Sequence, residues 1–234
     1  MIRIGNPTKS NQNIRQSVTK VNWMSSGSLN LKAVSLTKLG SKNCAVLDIG
    51  KSSREDSDGI ASLASIYHTL DINEFGDYPD ILADLCDPDL KDKLKFRYEL
   101  IICNSILEHV YDPKTATDNL LNLLSDDGVI IGSVPFLFPR HCPDDLHYQD
   151  FYRFTPEALG YLFREADFVY ACPTRGRLGT SLLMLSFSYK YLFEERFPRA
   201  ALRINHLLNK GRHSFQTSTI EFCISKKKLA NLHS

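Results

Sequence analysis

The chain has 234 residues, of which 43% are hydrophobic and 24% are charged, and its formal net charge is +1. This length and composition suit a single large domain with a full hydrophobic core. The near-neutral charge argues against a broad basic surface, so no nucleic-acid partner is expected.

The six cysteines form no CxxC pair, and several of them fall in apolar runs. They are predicted to be small buried hydrophobic residues in a reducing compartment, and no metal site is expected from their spacing. The polar N-terminus has no apolar signal region, and no apolar run is long enough to span a bilayer. We therefore expect a cytoplasmic protein.

The first 40 residues are predicted to form an N-terminal helical or lid segment. Residues 1 to about 26 are polar and weakly patterned, whereas residues 29–39 have the pattern of a short helix that ends at Gly40. The remainder, residues 41–234, is interpreted as one domain because strand-like and helix-like segments alternate along it without a linker.

Seven apolar runs predict strands, at residues 44–48, 67–71, 79–84, 99–104, 129–134, 168–172 and 219–225. Helices are predicted between them, at residues 60–65, after Asp112-Pro113 and after Thr155-Pro156. The alternation predicts an α/β fold, with a Rossmann-like, seven-stranded, mostly parallel sheet, helices on both faces and an antiparallel last strand.

Polar side chains fall at the ends of the first four predicted strands: Asp48, Asp71, Asp84 and Asn104. Any one of them is more readily explained as a turn former or a helix cap. Ligands of parallel sheets bind beyond the carboxyl ends of the strands, so four such residues in succession indicate a binding site there.

The spacing of Asp71 from the first turn points to a nucleoside. Asp71 follows Gly50 by 21 residues, since 71 − 50 = 21, and an acid about 20 residues after a glycine turn typically holds a ribose diol. A dinucleotide is disfavoured because the turn carries three acids, Glu55, Asp56 and Asp58, that would repel a pyrophosphate. S-adenosylmethionine (SAM) contains a ribose but no phosphate.

Six segments follow one another as they do in class I SAM-dependent methyltransferases: VLDIG, YHTLDIN, PDILADLCD, YELIICNSILEHVYDP, LLSDDGVIIGSVPF and FYRFTPEAL. The chain resembles this family from about residue 43 to residue 172, and again in the last strand near residues 219–225. The likeness is closest to small bacterial enzymes associated with glycan biosynthesis. It implies that residues 41–234 form a SAM-dependent methyltransferase domain.

The resemblance implies a role for each matching residue at the nucleoside end of SAM. Asp71 would hold the ribose hydroxyls, and Ile72 would pack against the adenine. Asp84 would accept a hydrogen bond from the adenine amino group, and Leu85 would lie beside the ring.

At the methionine end, the resemblance assigns a group of turn and strand-end residues: Asp48, Gly50, Asn104 and Ser105. Glu108 and His109 would shape the floor of the pocket. For His109, a half-buried helix residue with no ligand is an equally good interpretation.

The stretch Lys51–Asp58 departs from the family, which usually has further glycines here. Either the loop runs wider and binds SAM through Ser52 or Ser53 and backbone amides, or SAM binding has been lost. We favour retained binding because Asp71, Asp84 and the fourth strand are intact.

The segment 135–159 follows the fifth strand and holds the candidate catalytic residues. A hydroxyl acceptor needs a general base, for which His141 is the first candidate and His147 the second. Asp144 or Asp145 could orient either histidine, and Tyr148 could stack on a sugar or hydrogen-bond to it. The alternative is a proline-stiffened surface loop, with Arg153 in a structural ion pair.

The predicted function is SAM-dependent methylation, with O-methylation of a small polar acceptor such as a sugar or glycan precursor as the favoured reaction. The alternative is a non-catalytic binding or scaffold protein with a degenerate cofactor loop. Residues 176–213 are interpreted as a helical insertion that serves as a lid or homodimer surface. A peripheral membrane contact with a lipid-linked acceptor is the other interpretation of this insertion.

Overall fold

The structure is a computed structural model that describes residues 20–24, 29–40, 43–50, 57–142, 149–174, 180–181, 184 and 217–229. Within them lie eight strands: β1 (Val21–Trp23), β2 (Ala45–Ile49), β3 (Ile66–Asp71), β4 (Ile81–Leu82), β5 (Tyr98–Asn104), β6 (Leu124–Pro135), β7 (Phe168–Pro173) and β8 (Thr219–Ser225). The helices are α1 (Leu31–Leu39), α2 (Ser57–Leu63), α3 (Leu90–Lys93), α4 (Pro113–Leu123) and α5 (Pro156–Leu162).

The eight strands form one sheet in the order β1-β7-β8-β6-β5-β2-β3-β4. β8 runs antiparallel to both of its neighbours, β6 and β7, and every other pairing is parallel. The predicted α/β class, the mostly parallel sheet and the antiparallel last strand are therefore confirmed.

The predicted number of seven strands was wrong by one. Val21–Trp23 lies in the N-terminal segment that was predicted to be helical or a lid. It forms a strand that pairs in parallel with Val169–Ala171. Three residues are too few to show the alternation that marks a strand, so this edge strand has no signal in the sequence. The division of the chain at residue 40 stays a prediction.

Alternate side chains of the central strands enter two separate hydrophobic cores. Leu47 of β2 and Ile101 of β5 belong to one core, and Val46 and Leu100 belong to the other. Since all four are buried, these strands read as continuous apolar runs, as expected for a parallel sheet covered on both faces.

Helices cover both faces, as predicted. Buried residues of α4 and α5 contribute to the first core, including Leu120 and Leu159, whereas Val34 of α1 contributes to the second. Asp112 caps α4 by accepting hydrogen bonds from the backbone amides of Lys114 (3.1 Å) and Thr115 (3.2 Å), and Pro113 occupies its first turn.

All six cysteines are free thiols, and five of them are buried. Burial raises the pKa of Cys86 to about 11 and that of Cys223 to about 12, so both thiols stay protonated at neutral pH. These cysteines therefore pack as small apolar residues.

Of the predicted insertion at about residues 176–213, all but Thr180, Ser181 and Met184 lies outside the described residues. No helix in the described part of the chain combines the length and the hydropathy that a bilayer span requires.

Candidate functional site

A cavity of about 730 Å³ lies at the carboxyl ends of β2, β3, β4 and β5. Eight of the residues predicted to bind a cofactor line it: Gly50, Asp71, Ile72, Asp84, Leu85, Asn104, Ser105 and His109. His141, the first candidate for a general base, lines the same cavity. The predicted residues from Gly50 to Ser105 meet in one place because their strands end at the same edge of the sheet.

Asp48 does not line the cavity. It lies within β2, is buried, and accepts a hydrogen bond from the hydroxyl of Tyr67 at 2.7 Å. The strand continues for one residue past Asp48, so Ile49 and Gly50 reach the cavity instead. The role of Asp48 beside the methionine part of SAM stays a prediction.

Four other predicted site residues lie outside the described part of the chain: Ser52, Asp145, His147 and Tyr148. The same holds for most of the stretch Lys51–Asp58, of which only residues 57 and 58 are described, as the start of α2. Their predicted roles stay predictions.

The carboxylate of Asp71 is held in one orientation at the end of β3. Its Oδ1 accepts hydrogen bonds from the backbone amide (2.8 Å) and the side-chain amide (3.3 Å) of Asn73, and its Oδ2 accepts one from the hydroxyl of Tyr78 (3.1 Å). Burial, followed by the charge of Asp71, raises the pKa of Tyr78, which keeps this phenol a donor. An ionised carboxylate has about four acceptor positions, so an oriented Asp71 can also receive a hydroxyl from the cavity.

Apolar side chains flank Asp71 on the cavity wall. Ile72 is 42% exposed and Phe75 is 37% exposed, although both are large hydrophobic residues. Leu70, Ala83 and Leu85 continue this apolar surface on the same wall. Such a surface beside a fixed carboxylate suits a flat ring attached to a polar ribose.

Asp84 also lines the cavity, in the turn that follows β4. Its Oδ1 accepts a hydrogen bond from the backbone amide of Cys86 at 2.8 Å. The charge of Asp84 is the main cause of a raised pKa at Tyr111, whose ring is exposed on the cavity wall. The acceptor atoms of Asp84 are thus fixed next to an aromatic ring.

The backbone at the ends of β2 and β5 adopts conformations that most residues avoid. Gly50 has a φ of +79° and Ser105 a φ of +53°, at the ends of the adjacent strands β2 and β5. Left-handed backbone is unfavourable for a serine, and such residues tend to cluster at binding sites. The amide of Ser105 donates to the carbonyl of Ser133 at 2.9 Å, which holds the turn in place.

Glu108, His109 and His141 form a cluster where the cavity meets the sheet. Glu108 is fully buried, and its Oε1 lies 3.5 Å from Nε2 of His141 and 3.9 Å from Nε2 of His109. The nearby carboxylate of Glu108 is the main cause of a raised pKa at His141. Glu108 and Asp150 are the acidic groups described next to His141, whereas Asp144 and Asp145, the predicted partners, lie outside the described residues.

Arg153 makes a structural ion pair with Asp150. This agrees with the alternative interpretation of segment 135–159 as a surface loop. The guanidinium of Arg153 donates to both oxygens of Asp150, at 2.5 Å and 2.7 Å. It also donates to the carbonyls of Phe138 (3.0 Å) and Pro139 (2.9 Å), next to His141. Hydrogen bonding to Arg153 is the first cause that holds the pKa of Asp150 far below its usual value. Arg153 therefore positions the backbone that carries His141.

We expect Arg153→Met to lower the free energy of unfolding by about 2 kcal/mol, because it leaves the carboxylate of Asp150 buried without its charge partner. The side chain of Asp150 is 1% exposed. Lys93→Met is the matched control, since it removes a solvent-screened pair with Asp87 and should lower the free energy of unfolding much less. Urea denaturation measures both, and equal losses would contradict a positioning role for Arg153.

The sequence did not single out several residues of the cavity wall. Phe75, Tyr111, Gln149 and Phe151 line it and were not predicted. An aromatic residue inside the polar turn NEFGD was the available signal for Phe75. The contact of Gln149 with Nδ1 of His109, at 2.9 Å, is made by its backbone carbonyl. Every residue has such a carbonyl, so the residue type at position 149 does not predict the contact.

No protein-family model matches the chain, and no curated protein matches it. Among solved structures, an S-adenosylmethionine-dependent methyltransferase from Mesorhizobium loti is 14% identical, with 85% of this chain and 98% of that chain covered and a TM-score of 0.47. Phosphoethanolamine N-methyltransferase 2 from Haemonchus contortus, in complex with S-adenosyl-L-methionine, is 12% identical, with a TM-score of 0.49.

That alignment covers 88% of this chain and 54% of the Haemonchus protein, so this chain spans about half of its length. The N-methyltransferase NodS from Bradyrhizobium japonicum WM9, in complex with S-adenosyl-L-homocysteine, is 13% identical, with 44% of this chain and 72% of that chain covered and a TM-score of 0.33. Identities and TM-scores this low do not assign a function to this chain.

Proposed function

We propose that the chain is a SAM-dependent methyltransferase that binds SAM in the cavity at the carboxyl ends of β2 to β5. One observation carries the proposal: Gly50, Asp71 and Asp84, from three successive strand ends, line a single cavity. Asp71 ends β3, the strand that follows the glycine turn after β2, and an oriented acid at this position suits a ribose diol. The apolar residues that line the cavity together with Asp71 and Asp84 suit an adenine ring.

In this placement, the nucleoside occupies the wall formed by Asp71, Ile72 and Asp84. The methionine end lies near the left-handed turns at Gly50 and Ser105. His109 and His141 then face the part of the cavity that remains for the acceptor.

When bound, SAM supplies a methyl group on a sulfonium, which is a good leaving group. The protein must therefore hold the acceptor in line with the methyl carbon and exclude water. If the acceptor is a hydroxyl, its proton must also leave. His141 is the described residue best placed to take it, because Glu108 stabilises the imidazolium that results.

The acceptor that we propose is a small polar molecule such as a sugar or glycan precursor. The rings of Phe151 and Tyr111 on the cavity wall can pack against the apolar face of a sugar. O-methylation follows from the pairing of a histidine base with a hydroxyl acceptor. Residues 176–213 are still predicted to contact either a second copy of the chain or a membrane that carries a lipid-linked acceptor.

Calorimetry with SAM and with its demethylated product, S-adenosylhomocysteine, tests the proposal directly. We expect saturable binding of both, with one site per chain and a Kd below about 1 mM. A non-catalytic scaffold with a degenerate Lys51–Asp58 loop predicts no binding of either compound at that concentration. This second result would overturn the proposal.

A further inference from the structure

We infer that Glu108, His109 and His141 form a binding site for a divalent transition-metal ion of the Zn²⁺ type, open to the cavity. Nothing in the proposed methyl transfer requires this ion, and the site is argued from its own geometry. No sequence pattern indicates this site, because the cysteine spacing predicts no metal site and the three residues are up to 33 positions apart (141 − 108).

The three side chains offer their ligand atoms to one point. The carboxylate oxygen and the two imidazole nitrogens all lie within 4.8 Å of one another. Ligand atoms of a tetrahedral zinc ion, at about 2.0–2.1 Å from the metal, are about 3.3 Å apart. The distances from Glu108 Oε1 to the two Nε2 atoms, 3.5 Å and 3.9 Å, need to contract by only a few tenths of an ångström.

Both imidazoles are oriented through the nitrogen that faces away from this point. Nδ1 of His109 is 2.9 Å from the carbonyl oxygen of Gln149, and Nδ1 of His141 is 3.2 Å from that of Pro139. A carbonyl only accepts hydrogen bonds, so Nδ1 of each ring is the donor, and Nε2 is the nitrogen left to offer a lone pair to a metal ion. Metal-binding histidines in proteins are typically fixed in this way, by a backbone carbonyl on the second nitrogen.

The buried carboxylate is the second, independent observation that points to a ligand. Glu108 is fully buried, and neither of its side-chain oxygens has a hydrogen-bond partner in the structure. A charged carboxylate in such a place is costly unless a cation compensates it. His141 alone could do so as an imidazolium, but that arrangement gives no reason for His109 to point the same nitrogen at the same oxygen.

Two histidines and one glutamate are a ligand set that binds Zn²⁺ in proteins and leaves a coordination position open. Here the open position faces the cavity, because His109 and His141 both line it. The fourth ligand is therefore an oxygen from water or from a molecule in the cavity. A hydroxyl bound to such an ion loses its proton more easily. If the proposed methyl transfer holds, the ion takes over the part that His141 plays as a base in the metal-free chain.

The experiment uses the full chain, freed of metal with a chelator and then titrated with Zn²⁺ alone by calorimetry. We expect one tightly bound ion per chain, and a higher melting temperature in the presence of Zn²⁺. Glu108→Gln and His141→Gln should each weaken binding by about 100-fold or more, since even loss of an outer partner costs about 10–100-fold. His68→Gln is the matched control, because His68 is bonded to Tyr98, away from the cavity.

A cobalt-loaded sample identifies the ligands. Co²⁺ bound at this site should give the visible bands of nitrogen and oxygen ligands without the thiolate band that a cysteine site produces. The inference is overturned if Glu108→Gln and His141→Gln, folded as judged by circular dichroism, bind Zn²⁺ like the parent chain. His109→Gln provides a second folded variant if Glu108→Gln fails to fold. SAM binding is measured separately on the same samples. Loss of SAM binding would count against the proposed function, whereas loss of Zn²⁺ binding would count against the metal site alone.

Discussion

Replacing Asp71 with alanine is expected to weaken SAM binding by about 100-fold. The carboxylate would accept hydrogen bonds from the ribose hydroxyls, and a hydrogen bond to a charged group contributes about 1.5–3 kcal/mol. Since 1.4 kcal/mol corresponds to a factor of ten in Kd, the loss of one or two such bonds gives this magnitude. Calorimetry with S-adenosylhomocysteine measures it without turnover.

Glu74→Ala is the control for this prediction, because Glu74 is an exposed acid three residues away that does not line the cavity. It removes the same charge and should leave Kd within about twofold. Asp71→Ala also removes the acceptor for Asn73 and Tyr78, so thermal unfolding must accompany the titration. A variant that stays folded and binds as tightly as the parent would exclude Asp71 as the ribose ligand.

Replacing Gly132 with alanine is expected to lower the free energy of unfolding by about 3 kcal/mol or more. Gly132 lies in β6 between Cys103 of β5 and Phe222 of β8. An added Cβ would be 2.0 Å from the carbonyl oxygen of Cys103 and 2.6 Å from the ring of Phe222. The oxygen belongs to the backbone of a central strand, so the clash is relieved only by moving the strands apart.

Gly59→Ala is the matched control, since a Cβ at Gly59 in α2 has no neighbour within 4 Å. That substitution should stabilise the chain by about 0.5–1 kcal/mol because alanine favours a helix. For a chain of this size, 3 kcal/mol corresponds to a fall of about 6–12 °C in Tm. Equal melting temperatures for the two variants would show that the central strands do not pack as described.

The fold could be predicted largely from the sequence because its central strands are apolar on both faces. The strands β5 and β8 were predicted within one residue of their bounds, as Glu99–Asn104 and Thr219–Ser225. β4 was predicted as six residues but has two, since only Ile81 and Leu82 pair with β3. An edge strand buries few side chains, so its length depends on its neighbour rather than on its own pattern.

The candidate site was predictable where a residue follows a strand and not where a turn brings it in. Asp71 and Asp84 stand at strand ends, and the sheet carries them to one cavity. Glu108 was named only as part of the pocket floor, because its importance depends on His141, which follows 33 residues later. The carbonyls of Gln149 and Pro139 orient the two histidine rings towards the carboxylate of Glu108. These are backbone contacts, so no periodic pattern of side chains predicts them.

The position of β8 makes the order of synthesis differ from the order of assembly. β7 pairs with β1 on one side and β8 on the other, so within the described residues β1 and β7 join the sheet through β8. Among the described strands β1 is made first, yet it joins the rest of the sheet only after β7 and residues 219–225 of β8 have been made. A nascent chain that has emerged only as far as β6 can pair β2, β3, β4, β5 and β6, while β1 has not yet met its partner β7.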